Sequence, residues 1–338
     1  MSVEQVWALM PYLVLAGGIV VLLLAVAWLQ SRLVAFFGSI VVLAVPLGFL
    51  PAALQGGTQI IDTVLEVDGY ALFFFALFSV AAIVTAVLSE RFLRSRATHA
   101  QEFYLLLTTA ALGAAVTAGA AHFATFLLGV EVLSISLYAM IAYPEEGRTP
   151  LEAAAKYLVL SGAASSTMLF GMALIYLASG SMSFDGAVNV ATGERSVLAL
   201  GQGMLLAGVF FKLSLVPFHM WTPDVYQGAP APVTGFVATV SKGAVFAVLL
   251  RYAVDADLLA SPTVGVLVAV IAVLSMIVGN ILALLQTSLK RLLAYSSIAH
   301  LGYLMIALVV AGTARPRLRR RLRSDDTRRF RRDHGAVG

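Results

Sequence analysis

Three ionisable side chains sit inside otherwise apolar runs of this sequence. Glu131 lies in FLLGVEVLSISLYAM, Lys212 in VFFKLSLVPFHMW and Lys242 in VTGFVATVSKGAVFAVLL. Ionisable groups in membrane spans usually face a bundle interior or a hydrated cavity, and they mark ion or proton pathways. One acid cannot neutralise two bases pairwise. The lysine left over can take up and release a proton rather than hold a fixed charge. The plain alternative is an internal Glu–Lys pair that only fixes packing, and such a pair is weak evidence for stability because desolvation can exceed the Coulomb gain.

The elements that must position these groups follow from composition. Of 338 residues, 60% are hydrophobic and only 12% are charged. Soluble domains carry about twice that share of charge. The apolar residues come in runs long enough to cross a bilayer, for which about 20 residues suffice. The expected fold class is therefore all-α, a polytopic membrane helical bundle with about ten transmembrane helices. The chain has no cysteine, which excludes disulfides, thiolate metal sites and iron–sulfur ligation by its own side chains. No basic stretch precedes the first apolar run, 10–29, so that run reads as a first span rather than a cleavable signal.

The ten spans are expected near 10–29, 33–50, 69–88, 103–121, 123–143, 157–178, 198–216, 229–252, 262–286 and 294–313. Glu131, Lys212 and Lys242 then lie within roughly 8 Å of the bilayer midplane at about 1.5 Å rise per residue. On insertion scales each lysine costs about 2.5–3.5 kcal/mol at that depth. Ala121–His122 leaves room only for a tight helical hairpin between spans four and five. Arg32, Arg91, Arg94, Arg96, Arg148, Lys156, Lys290 and Arg291 fall in loops or span ends on one side, and only Arg195 and Arg251 on the other. The positive-inside rule makes the first side cytoplasmic and puts the N-terminus outside.

Several neighbours fit a hydrated path. Ser134 and Ser136 follow Glu131, Ser214 follows Lys212, and Thr234, Thr239 and Ser241 precede Lys242. Hydroxyls can hold waters or satisfy freed backbone groups, although small hydroxyl residues also serve ordinary helix contacts. Pro217, with Pro223, Gly228, Pro230 and Pro232, makes 217–232 read as irregular, and broken helices often flank ion sites. His219 and His300 are candidate proton relays. His122 reads as a solvated loop residue, Trp221 and Tyr226 as interfacial anchors. GAASSTMLFG, 162–171, reads as a close-packing surface. No phosphate-cradling glycine loop, metal-ligand cluster or serine triad is evident, and nothing points to nucleic acid.

Composition changes abruptly after Gly312. Residues 315–338 hold ten arginines and three acids, which leaves 12 basic and 15 acidic residues elsewhere. Ten spans return the chain to the outside, where the positive-inside rule disfavours such a tail. One reading is a basic segment that contacts anionic lipid or a partner. The preferred reading is a lost native frame near residue 313, because a shifted frame in a GC-rich gene yields Arg, Ala, Pro and Gly codons.

The stretches FFKLSLVPFHMWTPDVYQGAPAPVTGFVATVSK (210–242) and LLQTSLKRLLAYSSIAHLGYLMIALV (284–309), with FLLGVEVLSISLYAMIAY around Glu131, carry a family resemblance. The chain resembles subunit N of the bacterial proton-pumping NADH-quinone oxidoreductase, respiratory complex I, over nearly all of 1–312. The resemblance implies an antiporter-like fold of inverted five-helix repeats, each with a discontinuous helix. On that pattern 1–102 holds three N-terminal helices, 103–253 the first repeat and 254–313 a partial second repeat. The tail 314–338 then falls outside the family pattern, and four further helices are expected to be missing.

The resemblance also implies roles. Glu131, Lys212 and Lys242 match the family's proton-transfer line, and His300 its central polar axis. Pro217 marks the structural break. The implied activity is proton translocation coupled to electron transfer from NADH to quinone, a translocase function of the whole complex. This chain would bind no cofactor or metal itself, while the complex uses NADH, FMN, iron–sulfur clusters and a quinone. Its implied partners are the other membrane-arm subunits, the lipid bilayer and protons. Its implied location is the bacterial inner membrane with a periplasmic N-terminus. A cation/proton antiporter or membrane-bound hydrogenase subunit is the alternative, and an inactive truncated remnant a further one.

Overall fold

A computed structural model describes residues 2–94, 100–143 and 148–310. The expected cytoplasmic Arg96 and the whole Arg-rich tail, 314–338, lie outside the described residues. The helices are α1 (Val3–Leu29), α2 (Arg32–Ala44), α3 (Leu50–Gln55), α4 (Gly69–Arg94), α5 (Ala100–Gly119), α6 (Phe123–Ala142) and α7 (Arg148–Ser179). They continue with α8 (Arg195–Lys212), α9 (Trp221–Gly228), α10 (Ala231–Phe236), α11 (Lys242–Asp255), α12 (Pro262–Leu284) and α13 (Leu289–Val310). One small antiparallel hairpin, β1 (Gln59–Ile61) and β2 (Leu65–Val67), stands between α3 and α4 and pairs Ile60 with Glu66.

Among the described residues nine helical segments are long and apolar enough to span a membrane. Their outer faces expose large apolar side chains such as Val21, Leu24 and Trp28 on α1 and Val270 and Ile277 on α12. Apolar exposure on that scale requires lipid or a neighbouring subunit against it. α2 and α3 form one span that tightens into a 3-10 turn, Val45–Phe49, containing Pro46. Proline has no amide to donate and crowds the preceding turn, so the regular α-helical bonding is interrupted there. Several spans start or end beyond the expected limits. α7 begins at Arg148, nine residues before position 157, because long basic side chains at a helix end can lie along apolar surface while their charges reach water.

The seventh expected span, 198–216, falls furthest short at its end, because α8 stops at Lys212. The irregular stretch is 213–220, not the expected 217–232, because α9 and α10 are helical. Pro223 and Pro232 sit in the first turns of α9 and α10, where a helix has no amide bond for proline to lose.

Loops gather at two ends. At one end Gln5 donates to the Ile60 carbonyl, the Ala121 amide donates to Val64 and the Phe123 amide to Met182. His122 caps α6, its Nδ1 accepting from the Ala124 amide at 3.2 Å, and is not simply solvated. Arg251, buried on α11, pairs with Glu66 at 2.6 Å and Asp68 at 2.8 Å, while Asp68 caps α4 through the Ala71 amide. At the other end Arg32 pairs with Glu90 at 3.0 Å, and Lys156 and Arg291 both pair with Asp224. Of the basic residues expected on one side, Arg32 and Arg94 thus meet at Glu90, and Lys156 and Arg291 at Asp224. The packing surface expected at 162–171 forms at Gly171 and not at Gly162, where a Cβ would meet nothing within 4 Å. A Cβ at Gly171 would lie 2.5 Å from the Leu205 amide, so only glycine lets α7 approach α8 so closely.

Candidate functional site

The site forms where α8 ends. Lys212 is its last residue, and Leu213 closes the turn. Ser214 then takes φ 62°, the left-handed region that a non-glycine residue rarely adopts. A helix broken at membrane depth needs new partners for its backbone groups. They are found. The Phe211 carbonyl accepts from the Ser214 amide and from the Trp221 indole, both at 2.9 Å. The Val216 amide donates to Ser275 Oγ of α12 at 2.9 Å, and the Thr222 hydroxyl to Ser214 Oγ at 2.6 Å. Pro217 lies in the middle of the irregular stretch, so the helix ends five residues before it.

Lys212 points into the bundle with its side chain 3% exposed. Its Nζ donates to Ser134 Oγ of α6 at 2.8 Å and to Ser161 Oγ of α7 at 2.6 Å. Tyr138 also donates to Ser161 Oγ, at 2.7 Å. Glu131 Oε1 lies 3.9 Å from Lys212 Nζ and accepts a hydrogen bond from Ser165. The Glu131 side chain is 31% exposed, so the acid forms the outer edge of this network and the amine its interior.

Lys242 occupies a second pocket. It opens α11 directly after a π-helical turn, Val237–Ser241, a rare distortion often found at functional sites. Its Nζ donates to Ser297 Oγ of α13 at 2.9 Å, an oxygen that also accepts from Tyr226 at 3.2 Å. The amine lies 5.1 Å from the Tyr226 ring centre and 6.0 Å from that of Trp221, within reach of cation–π attraction. Among the described residues Lys242 makes no ion pair, so it is the surplus base of the three-residue set.

Trp221 joins the two pockets. Its ring stacks on Phe211, the neighbour of Lys212, at 5.7 Å, and on Tyr157 at 4.6 Å. Trp221 and Tyr226 are both buried, which corrects their reading as interfacial anchors. The broken helix draws α9 into the bundle, whereas a linear count of spans leaves it near the surface.

His300 is exposed on α13, one turn from Ser297, and the two line a cavity of about 500 Å³ together with Tyr226 and Lys290. His219 is half-buried in the break, its ring 6.5 Å from that of Tyr295. Among the described residues no hydrogen bond links either histidine to Lys212 or Lys242. The structure thus brings Glu131 and Lys212 together, gives Lys242 its own pocket, sets His300 beside Ser297 and leaves His219 in the break. Among the described residues no cluster of three His, Asp or Glu is placed to hold a metal ion.

Not all the expected hydroxyls belong to the site. Ser136 and Thr239 bond carbonyls four residues back in the chain, whereas Thr234 also reaches the Tyr226 carbonyl at 3.2 Å and lines the cavity with Ser297. The partners that matter more, Ser161, Ser165, Ser297 and Tyr138, escaped sequence reasoning, as did Asp224. A serine in an apolar helix looks alike whether it packs or accepts a hydrogen bond, and only the facing lysine separates the two.

A family profile described as NADH:quinone oxidoreductase/Mrp antiporter, TM, matches residues 120–315. The chain is 47% identical over 317 residues to NADH-quinone oxidoreductase subunit N of Methylococcus capsulatus, covering 93% of this chain and 64% of that protein. It is similar to a chain of respiratory complex I from Thermus thermophilus with bound Aureothin, with TM-score 0.76, 38% identity and coverage of 88% and 64%. A chain of the archaeal membrane-bound sulfane sulfur reductase superposes with TM-score 0.76 at 23% identity, covering 91% of this chain and 65% of its own. One from the Mrp complex of Dietzia sp. does so with TM-score 0.77 at 17% identity, covering 91% and 59%. The last two likenesses are of fold alone. The chain spans 64% of the length of the curated relative it matches.

Proposed function

The chain belongs to the NADH:quinone oxidoreductase/Mrp antiporter transmembrane family, and from that membership we propose that it serves as the proton-conducting subunit N of a proton-pumping NADH-quinone oxidoreductase. The observation that carries this reading is the buried Lys212 amine at the end of a broken helix, hydrogen-bonded to two serines, with a carboxylate at 3.9 Å. The 47% identity to a subunit N supports that subunit over an antiporter subunit, whose likeness here is one of fold.

In this reading the proton moves between side chains of the chain itself. Lys212 holds a proton in the network of Ser134, Ser161 and Glu131, and Lys242 receives it in the pocket of Ser297 and Tyr226. Two unit charges about 4 Å apart attract by roughly 1–4 kcal/mol between bulk water and an effective dielectric of 20. A change in the charge or distance of Glu131 therefore alters how firmly Lys212 keeps its proton. Electron transfer in other subunits supplies the drive. The NADH, FMN, iron–sulfur and quinone chemistry belongs to those subunits, and this chain contributes the proton path. His300, beside Ser297, is the relay candidate leading out of the second pocket.

The same reading assigns residues 103–253 to the first antiporter-like repeat and 254–313 to part of a second. It places the protein in a bacterial inner membrane with a periplasmic N-terminus, against the other membrane-arm subunits. The test is Lys212→Ala in the assembled complex, with NADH-driven proton uptake followed in inverted membrane vesicles. Uptake is expected to fall at least roughly tenfold, a rise of about 1.4 kcal/mol in the transfer barrier, while NADH oxidation by an artificial acceptor persists. Uptake equal to the wild type would overturn the assignment.

A further inference from the structure

A groove of about 920 Å³ runs along the bundle between α4 and the α10–α11 segment, and Ala231 and Gly235 separate it from the cavity that Ser297 and His300 line. Leu77, Val84 and Leu88 wall it on one side, and all three are exposed. Gly235 lies on the other side, and a Cβ there would meet nothing within 4 Å. Two hydroxyls line the groove, but both are already committed. Thr85 bonds the Ala81 carbonyl at 2.8 Å, and Thr239 bonds the Gly235 carbonyl at 2.8 Å. Apart from its ends, the groove therefore offers an occupant only apolar contact.

One end carries a charge. Arg91 lines the groove in the last turn of α4, is exposed and, among the described residues, makes no ion pair. Its neighbours Arg32 and Arg94 both bind Glu90, so the acid nearest in sequence is already taken. This end is the basic end of the bundle.

The groove's length selects the occupant. From Leu77 to Arg91 α4 rises by about 21 Å at 1.5 Å per residue. Half of a bilayer, headgroups included, is roughly 20–22 Å thick. A partner's transmembrane helix would need a track through both leaflets, whereas this groove extends through one. An apolar channel one leaflet deep that ends at an exposed guanidinium fits an amphiphile with an anionic head. We propose that the groove between α4 and α10–α11 is a binding site for an anionic phospholipid, its acyl chain lying along Leu77–Leu88 and its phosphate against Arg91. Basic pockets between membrane helices are suited to such headgroups.

The test uses the full chain, delipidated in mild detergent and titrated with phosphatidylglycerol or phosphatidylcholine, with bound lipid read by native mass spectrometry. The wild type is expected to retain phosphatidylglycerol in preference to phosphatidylcholine. Arg91→Gln is expected to lower phosphatidylglycerol retention about fivefold, the loss of one surface cation facing one anionic headgroup, and to leave phosphatidylcholine unchanged. Gly235→Leu, which fills open space, is expected to lower retention of phosphatidylglycerol with Arg91 intact. Should that variant fail to fold, as read by circular dichroism, Arg91→Gln decides alone. Equal retention by wild type and Arg91→Gln overturns the proposal. So does a photo-crosslinker at Leu88 that captures a neighbouring subunit's helix, and no lipid, in the assembled complex.

Discussion

The Glu131 carboxylate stands 3.9 Å from the Lys212 ammonium, yet the ammonium gives its short hydrogen bonds to Ser134 and Ser161. The acid acts on the base through charge, and the serines fix where the base sits. The two effects can be separated by mutation.

Glu131→Gln keeps the shape of the acid and removes its charge. The lost attraction for Lys212 is about 1–4 kcal/mol, reduced toward the lower figure because Glu131 is 31% exposed. Proton uptake in vesicles is expected to drop several-fold, roughly what 1 kcal/mol yields, with assembly of the complex intact. Wild-type uptake in this variant would contradict a charge role for Glu131.

Ser161 accepts from both Lys212 and Tyr138, and Ser134 from Lys212. Hydrogen bonds to charged groups contribute about 1.5–3 kcal/mol, and a buried donor left unmatched costs about 1–3 kcal/mol. Ser161→Ala removes an acceptor from two donors, Ser134→Ala from one, so the former is expected to lower the melting temperature in detergent more. The opposite order would show that the serines do not hold Lys212 as described.

Ser275 accepts from the Val216 amide inside the break. Ser275→Ala leaves that amide without an acceptor, at about 1–3 kcal/mol. Amide exchange over 213–220 is expected to accelerate while α12 stays protected. Unchanged exchange there would mean that Ser275 does not brace the broken backbone.

Lys242 binds Ser297, in a pocket apart from that of Glu131. Effects at sites without shared partners add within about 0.3–0.5 kcal/mol. Ser297→Ala and Glu131→Gln are therefore expected to shift the melting temperature independently in the double variant. Strong non-additivity would show that the two pockets act as one network across Trp221.

Some of the site was legible without coordinates because of what charge costs in hydrocarbon. A lysine in VFFKLSLVPFHMW or in VATVSKGAVF is too costly to be incidental, so Lys212 and Lys242 stand out in one dimension, and Glu131 with them. The break near Pro217 was legible as well, but not its place. Proline marks where a helix cannot continue, whereas α8 ends at Lys212 because Leu213 and Ser214 turn the chain and Trp221 and Ser275 satisfy the groups set free. The β1–β2 hairpin gave no usable pattern, since its strands are three residues long.

By itself the sequence determined the membrane bundle, the long apolar spans and the three charges buried among them, because hydropathy and charge are local properties that need no partner. Tertiary structure decided which lysine has a counter-ion and which has only a serine and two aromatic rings. It also drew Trp221 and Tyr226 from an apparent surface into the core. Those outcomes depend on residues far apart in the chain, Glu131 with Lys212 and Lys242 with Ser297, and only packing the helices brings such groups within hydrogen-bond or ion-pair reach.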